Sequence, residues 1–196
     1  MTRLPNSRMK DLPALLAVTC LLLAAPAAQA GSEFYGGIGI GYSTFEVDAI
    51  DFEGSDYAIR QFAGFTWGDH LGVEAGYINF GTVNDRILDQ PGQQTLNNGI
   101  ETWGYNLSVV GRYPVNEELE AIAKVGMIRW DSEASIETVP LPAKVDGDDL
   151  IWGIGLDFRG SGRFHVRVEG EFVDIEFADS WWVLTTSVMY SFPFGR

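Results

Sequence analysis

The stretch FHVRVEGEF, residues 164–172, alternates apolar or small residues with charged or polar ones along its whole length. Successive side chains of an extended chain point to opposite faces, so a period of two is typical of a β-strand. A helix would scatter these charges around its circumference, because its side chains repeat every 3.6 residues. The stretch predicts a strand with His165, Arg167, Glu169 and Glu171 on one face and Phe164, Val166, Val168, Gly170 and Phe172 on the other.

Seven other stretches alternate in the same way, with glycine, aromatic and β-branched residues set against polar ones. Helical periodicity is not sustained anywhere after residue 30. The chain is therefore predicted to be all-β. The eight predicted strands are Phe34–Asp48, Tyr57–Trp67, Leu71–Phe80, Ile100–Tyr113, Leu119–Asp131, Leu150–Arg159, Phe164–Phe177 and Trp181–Phe192.

The connections between these strands are of two kinds. Short turns follow the second, fourth and sixth strands, at residues 68–70, 114–118 and 160–163, and the connection before the last strand is also short. Longer polar segments follow the first, third and fifth strands, at residues 49–56, 81–99 and 132–149. Short turns at one end and long loops at the other are typical of barrels in the bacterial outer membrane, whose turns are periplasmic. The predicted fold is an eight-stranded antiparallel up-and-down transmembrane β-barrel, which leaves no strand edge unpaired.

The two faces of the strands can be assigned to lipid or lumen. A soluble lipocalin-like barrel also alternates, but it turns its apolar face inward, whereas a membrane barrel turns that face to lipid. Aromatic rings near strand ends favour the membrane version, because they suit the headgroup level of a bilayer. These rings are Trp67, Tyr113, Trp130, Trp152, Trp181, Trp182, Tyr190 and Phe192. Predicted lipid-facing residues include Leu107, Val109, Ile154, Leu156, Leu184 and Val188, and predicted inward residues include Asn106, Ser108, Gly153, Gly155, Thr185 and Ser187.

The N-terminus is typical of a secretory signal. Three basic residues precede an uncharged apolar segment at residues 14–25, and the small-x-small sequence Ala28-Gln29-Ala30 follows. The apolar segment is shorter than the ~20 residues that a membrane-spanning helix needs. The sequence therefore predicts a cleaved signal peptide over residues 1–30 and a barrel domain over residues 31–196.

Charge and cysteine content exclude several classes of function. The formal net charge of −14 argues against nucleic-acid binding, which needs a basic surface. The one cysteine, Cys20, lies in the predicted signal, so the exported part has no thiol for a disulfide or a metal site.

The sequence contains two histidines, which are candidates for catalytic or metal-binding residues. His70 lies in a predicted turn and His165 on an inward face, and neither has a partner at the spacing of a nucleophile–base pair or a zinc site. We expect no catalytic residue, no metal site and no cofactor. We interpret the acidic residues of the loops as solvated charge; the alternative is that they bind divalent cations bridging to lipopolysaccharide phosphates. They are Asp48, Asp51, Glu53, Asp56, Asp146, Asp148 and Asp149.

Five segments, taken in order, resemble the OmpA-like transmembrane barrels. They are residues 72–81 (GVEAGYINFG), 105–114 (YNLSVVGRYP), 121–126 (AIAKVG), 152–158 (WGIGLDF) and 166–172 (VRVEGEF). The resemblance implies an ion network inside the barrel, formed by Glu74, Lys124, Asp157 and Arg167. Asp157 stands where the family usually carries Glu, so this shorter side chain is expected to need a water to reach Lys124.

The resemblance also implies partners. They are outer-membrane lipids, including lipopolysaccharide, and the barrel-assembly machinery, whose aromatic signal here stands at Phe192 and Phe194, just before the final two residues. In the archetype of the OmpA-like family the barrel is followed by a periplasmic peptidoglycan-binding domain. This sequence ends at Arg196, so we expect a barrel alone. A monomer without nucleic-acid partners is expected, in the outer membrane of a Gram-negative bacterium.

Three functions from different classes remain. The first is a non-catalytic barrel that supports the envelope or makes surface contacts. The second is a narrow ion-conducting channel, although eight strands leave an interior filled by side chains. The third and most distant is a lipid-modifying enzyme.

Export and membrane insertion give the first testable prediction. The mature protein should begin at Gly31, fractionate with outer membranes and migrate differently on gels when unheated, because a closed barrel resists unfolding by detergent. Cell fractionation and N-terminal sequencing measure this. Recovery of the mature protein in the soluble periplasmic fraction would favour the soluble barrel instead.

Overall fold

The computed structural model describes residues 32–47, 52–85, 98–135, 143–160, 162–174 and 180–194. The predicted signal peptide therefore lies outside the described residues, as do Asp48 and Asp51 of the first predicted loop. Among the residues that are described, no helix is long and apolar enough to cross a membrane.

Eight antiparallel strands form a closed barrel in which each strand pairs with the next and β1 pairs with β8. The predicted fold class is confirmed. Gly68, with a φ of 66°, begins the tight turn between the second and third strands. The strands are β1 (Ser32–Val47), β2 (Phe52–Trp67), β3 (Leu71–Asp85), β4 (Asn98–Pro114), β5 (Leu119–Ser135), β6 (Ala143–Arg159), β7 (Phe164–Asp174) and β8 (Ser180–Phe194).

The barrel has a turn end, where residues 68–70, 115–118 and 160–163 connect the strands, and an opposite loop end. At the loop end β2 to β6 run further than the sequence predicted, whereas β7 ends at Asp174 and not at the predicted Phe177. Strand β5 continues to Ser135 and β6 begins at Ala143, and the two pair across this extension. Lys144 Nζ lies 3.1 Å from Asp131 Oδ1, so opposite charges on neighbouring strands help hold the hairpin together. Asp146, Asp148 and Asp149 consequently lie on β6 and not in a loop.

The apolar faces of the strands form the outer wall. On β7 Val166 and Val168 face outward while Arg167 is fully buried in the lumen. On β6 Ile154 is 61% exposed, whereas Asp157 is completely buried. The outward apolar residues of β6 extend from Leu150 to Phe158, about nine residues, which matches the 9–11 of a tilted membrane-spanning strand.

Two of the rings predicted for the headgroup level point into the lumen instead. Trp130 and Trp181 are only 3% and 4% exposed, because they share the inward phase of Ile128 and Val183 on their strands. With Phe80 they form what we call the aromatic plug, in which the ring centroid of Trp181 lies 4.2 Å from Phe80 and 6.2 Å from Trp130. The other predicted rings lie on the outward face: Trp67, Tyr113, Trp152, Trp182, Tyr190 and Phe192.

Inward glycines make room for large rings in the middle of the lumen. A Cβ on Gly37 would lie 2.6 Å from Cζ of Phe62, and a Cβ on Gly64 would collide with the ring of Tyr35. A narrow eight-stranded barrel is filled by its own side chains, so each large inward residue needs a small neighbour.

The outward and inward phases can be tested on adjacent residues of β8. Val188 is 53% exposed and Ser187 is 1% exposed, and both tolerate cysteine in volume. In a Cys20→Ser background, a lipid-soluble thiol reagent should label Val188→Cys in vesicles and leave Ser187→Cys unlabelled. Preferential labelling at position 187 would mean that β8 is assigned to the wrong phase, since a one-residue slip exchanges the two faces.

Candidate functional site

The lumen carries seven charged side chains at mid-height, each with none of its side-chain surface exposed. They come from the inward positions of β2, β3, β5, β6 and β7, where the alternation of each strand directs them away from lipid. We call this group the ion network: Arg60, Glu74, Lys124, Asp157, Arg167, Glu169 and Glu171.

Arg167 is the centre of one half of the ion network. Asp157 stands directly opposite it on the neighbouring strand. The guanidinium binds that carboxylate in a bidentate manner, with Nε 2.6 Å from Oδ1 and Nη2 3.1 Å from Oδ2. Its remaining nitrogen, Nη1, lies 2.6 Å from Oε2 of Glu74. Bidentate pairs of this kind are among the strong charge-assisted hydrogen bonds.

Lys124 and Arg60 form the other half together with the acids of β7. Lys124 Nζ lies 2.8 Å from Glu169 Oε1 and 3.4 Å from Glu74 Oε1, and it also contacts Glu171. Arg60 binds Glu74 and Glu169, and its Nη1 lies 3.0 Å from Glu171 Oε2. Glu74 therefore joins the two halves, since it contacts Arg60, Lys124 and Arg167.

Of the sequence-predicted set, the structure brings Lys124 and Arg167 each into contact with Glu74. Asp157 joins them through Arg167, and its Oδ2 also lies 3.5 Å from Nη2 of Arg112. Within the described residues no ion pair links Asp157 to Lys124. Lys124 turns instead to the two acids of β7, which lie nearer than the short side chain of Asp157.

Three members of the ion network were not assigned to it from the sequence. Glu169 and Glu171 were placed on the charged face of β7, but the resemblance pointed only to Arg167. Arg60 was missed because the inward neighbours on its strand, Ala58 and Phe62, are apolar, so β2 shows no polar face. Its phase could have been read from Trp67, because an outward ring at that position makes every even-numbered residue of β2 inward.

Aromatic rings cover the ion network on its turn side. The hydroxyl of Tyr35 donates a hydrogen bond of 3.0 Å to Oε2 of Glu74. The guanidinium carbons of Arg60 and Arg167 lie 4.6 Å and 5.0 Å from the ring centroid of Phe62. These are cation–π distances, so the rings stabilise the charges while excluding water from them.

A second group of charges lies closer to the turn end. Arg112 contacts Glu120 through Nε at 2.7 Å and Nη2 at 2.5 Å, and Arg159 Nη2 lies 3.2 Å from the same carboxylate. Three layers therefore follow one another in the lumen from the turn end to the loop end. They are the ion pairs of Glu120, the ion network and the aromatic plug.

The two histidines lie apart from the ion network. His70 is in the turn after β2, with Nδ1 3.3 Å from the carbonyl oxygen of Arg112. His165 is buried near the turn end of β7. In the part of the chain that the structure describes, no three His, Cys, Asp or Glu side chains are grouped so that they could hold a metal ion.

The charge of Lys124 can be tested by Lys124→Met, which keeps a long side chain and removes the ammonium. The change leaves Glu169 and Glu171 with fewer cations in an enclosed space, and breaking one side of a buried pair costs about 3–5 kcal/mol. We expect a clearly lower urea midpoint of unfolding.

Lys144→Met is the matched control. Its ammonium also contacts two acids, but its side chain is 51% exposed. An exposed pair contributes only about 0–1 kcal/mol, so the midpoint should hardly move. Equal midpoints for the two variants would show that Lys124 is solvated and not enclosed.

Several solved structures share this fold. Ail of Yersinia pestis, solved in complex with the heparin analogue sucrose octasulfate, superimposes with a TM-score of 0.59 at 13% identity, over 83% of this chain and 99% of that one. Neisserial surface protein A gives 0.61 at 10% identity, over 81% and 97%. The N-terminal barrel of Pseudomonas aeruginosa OprF gives 0.54 at 11% identity, over 84% and 98%. At these identities the similarity concerns the fold alone.

No curated protein sequence matches the chain significantly. The family model described as "Outer membrane protein beta-barrel domain" matches residues 14–192, most of the sequence. This confirms the predicted family and places the protein in the outer membrane of a Gram-negative bacterium. The closed eight-stranded barrel, its apolar wall and its charged lumen have the same explanation: the chain belongs to the outer-membrane β-barrel family.

Proposed function

We propose that this protein is a non-catalytic outer-membrane barrel that supports the envelope and presents a charged surface at its loop end. The observation that carries the proposal is the filling of the lumen by ion-paired side chains with no exposed surface. A barrel whose interior is so occupied offers a rigid body in the membrane and no evident passage through it.

Two obstacles in series argue against the channel alternative. An ion entering from the turn end meets the ion network, where its passage would require breaking enclosed charge pairs, each costly to separate. Beyond that lies the aromatic plug, with Ile78 and Ile151 packed around it, all almost completely buried. An apolar layer offers a hydrated ion no replacement for its water ligands.

The loop end supports a role in surface contacts. Arg129 lies on the outward face of β5, just beyond the apolar band, with its guanidinium nitrogens 3.6 Å and 3.7 Å from carboxylates of Asp146 and Asp148. Lys144 is similarly exposed beside Asp131. We propose that these two cations face the phosphates of lipopolysaccharide. The neighbouring carboxylates repel those phosphates, so they bind lipopolysaccharide only where a divalent cation bridges a carboxylate and a phosphate.

The proposal includes the processing and assembly expected from the sequence. Residues 1–30 direct export and are removed, and residues 31–196 are inserted by the barrel-assembly machinery, which recognises the aromatic residues near the C-terminus. In the inserted protein β1 pairs with β8, which closes the barrel.

Planar-bilayer recording tests whether the lumen is closed. The purified protein should give no steady conductance above that of a protein-free bilayer, because both obstacles are intact. The triple variant Phe80→Ala, Trp130→Ala, Trp181→Ala removes the plug and leaves the ion network, so it should remain closed. Adding Lys124→Ala, which also removes the side chain that reaches Glu169 and Glu171, should produce conductance.

Trp182→Ala is the matched control, because this ring neighbours Trp181 in sequence but lies on the outward face. Alone, and together with the Lys124 substitution, Trp182→Ala should stay closed, because the plug is intact in both. Steady ohmic conductance by the unaltered protein would overturn the proposal in favour of the channel.

A further inference from the structure

The outer wall contains one residue that does not suit lipid. Gln61 lies exposed on the outward face of β2, about midway between Tyr57 and Trp67, whose rings mark the two edges of the apolar band on that strand. Across the sheet it stands between Ile38 of β1 and Tyr77 of β3. Its amide is therefore at the depth of the acyl chains.

The rest of the outward wall at this depth is almost entirely apolar in the residues that the structure describes. The hydroxyl of Thr186 on β8 is an exception, but a threonine can bond to its own backbone. An amide has two donors and two acceptors, and no described side chain hydrogen-bonds to that of Gln61. An unpaired polar group in hydrocarbon costs free energy, so this side chain gains from any partner it meets in the bilayer.

Gln61 borders a depression in the wall of about 480 Å³. The depression exists because the outward residue Ala75 carries only a methyl group, while Ile38 and the ring pair Tyr77 and Tyr105, with centroids 5.1 Å apart, stand beside it. Small residues at a membrane interface let two protein surfaces approach closely. A protein surface can therefore reach Gln61 without displacing large side chains.

We infer that Gln61 and this depression are the contact through which two copies of the chain associate in the membrane. Acyl chains carry no hydrogen-bonding groups, and the polar headgroups lie at the two surfaces of the bilayer. A second copy related by a two-fold axis along the membrane normal brings its own Gln61 to the same depth by symmetry. Two facing amides are self-complementary, because each can donate to and accept from the other.

This interface is independent of the closed lumen and of the role proposed above. It also differs from the monomer that the sequence led us to expect. A closed barrel favours that expectation, because all of its backbone groups are paired. Closure satisfies the backbone of β2 but not the side chain of Gln61. The opposite side of the barrel, four strands away on β6, presents the fully apolar set Trp152, Ile154 and Leu156.

Disulfide cross-linking in vesicles tests the interface. In a Cys20→Ser background, Ala63→Cys places a thiol on the same outward face of β2, one residue pair from Gln61, and Ile154→Cys places one on the far side. At low protein-to-lipid ratio, oxidation should yield cross-linked dimers at position 63 well before position 154. Equal rates at the two positions would overturn the proposal.

Replacing the amide tests its contribution separately. Gln61→Leu should raise the dimer dissociation constant about three- to tenfold, the range measured for single polar contacts within membranes. Energy transfer between labelled copies, followed against the protein-to-lipid ratio, measures it. Gln61→Asn should retain most of the association, and Ile154→Leu should leave it unchanged. Unaltered heat-dependent gel migration confirms that each variant is folded, and unchanged association in a folded Gln61→Leu would show that the amide is not the contact.

Discussion

The structure depends on one constraint. Within the bilayer every backbone N–H and C=O group must find its hydrogen-bond partner in the protein, because hydrocarbon offers no donor or acceptor. Hydrocarbon forbids a free strand edge, so β1 must return to β8 and the sheet must close. Closure with eight strands then leaves a lumen about as wide as the side chains that fill it. Each strand consequently faces two environments at once, and a period of two in the sequence is the direct result.

The lumen is the more demanding environment, because it accepts charge only when the charge is paired. Four acids and three cations meet at mid-height. Arg112, 3.5 Å from Asp157 and paired with Glu120, connects these charges to the group at the turn end. Glu74 has three cationic neighbours, and its loss would leave the halves of the network joined by the longer contact of 3.9 Å between Arg167 Nη1 and Glu169 Oε2. The apolar aromatic plug beyond it keeps solvent of the loop end from these pairs.

Sequence alone predicted the faces of β4, β6, β7 and β8, because their inward residues are polar and their outward residues apolar. It failed where both faces look alike. Arg60 was missed since its inward neighbours are apolar, and Trp130 was wrongly assigned to the headgroup level because an aromatic ring suits either a lumen or an interface. Strand ends at the loop end were also missed, since charged residues such as Lys144 continue the sheet by pairing across it.

The same chemistry has different consequences on the two faces. Asn106 and Gln61 both carry an amide, but Asn106 points inward, where its nitrogen lies 3.4 Å from Oγ of Ser108. The lumen supplies a partner for this nitrogen from the same strand, while Oδ1 of the same amide has no hydrogen-bond partner among the described residues. Lipid supplies none, so the outward amide of Gln61 gains from the second copy that we infer at the same depth. A polar residue that faces the lumen therefore affects the stability of the barrel. A polar residue that faces lipid affects the association of the barrel with other proteins in the membrane.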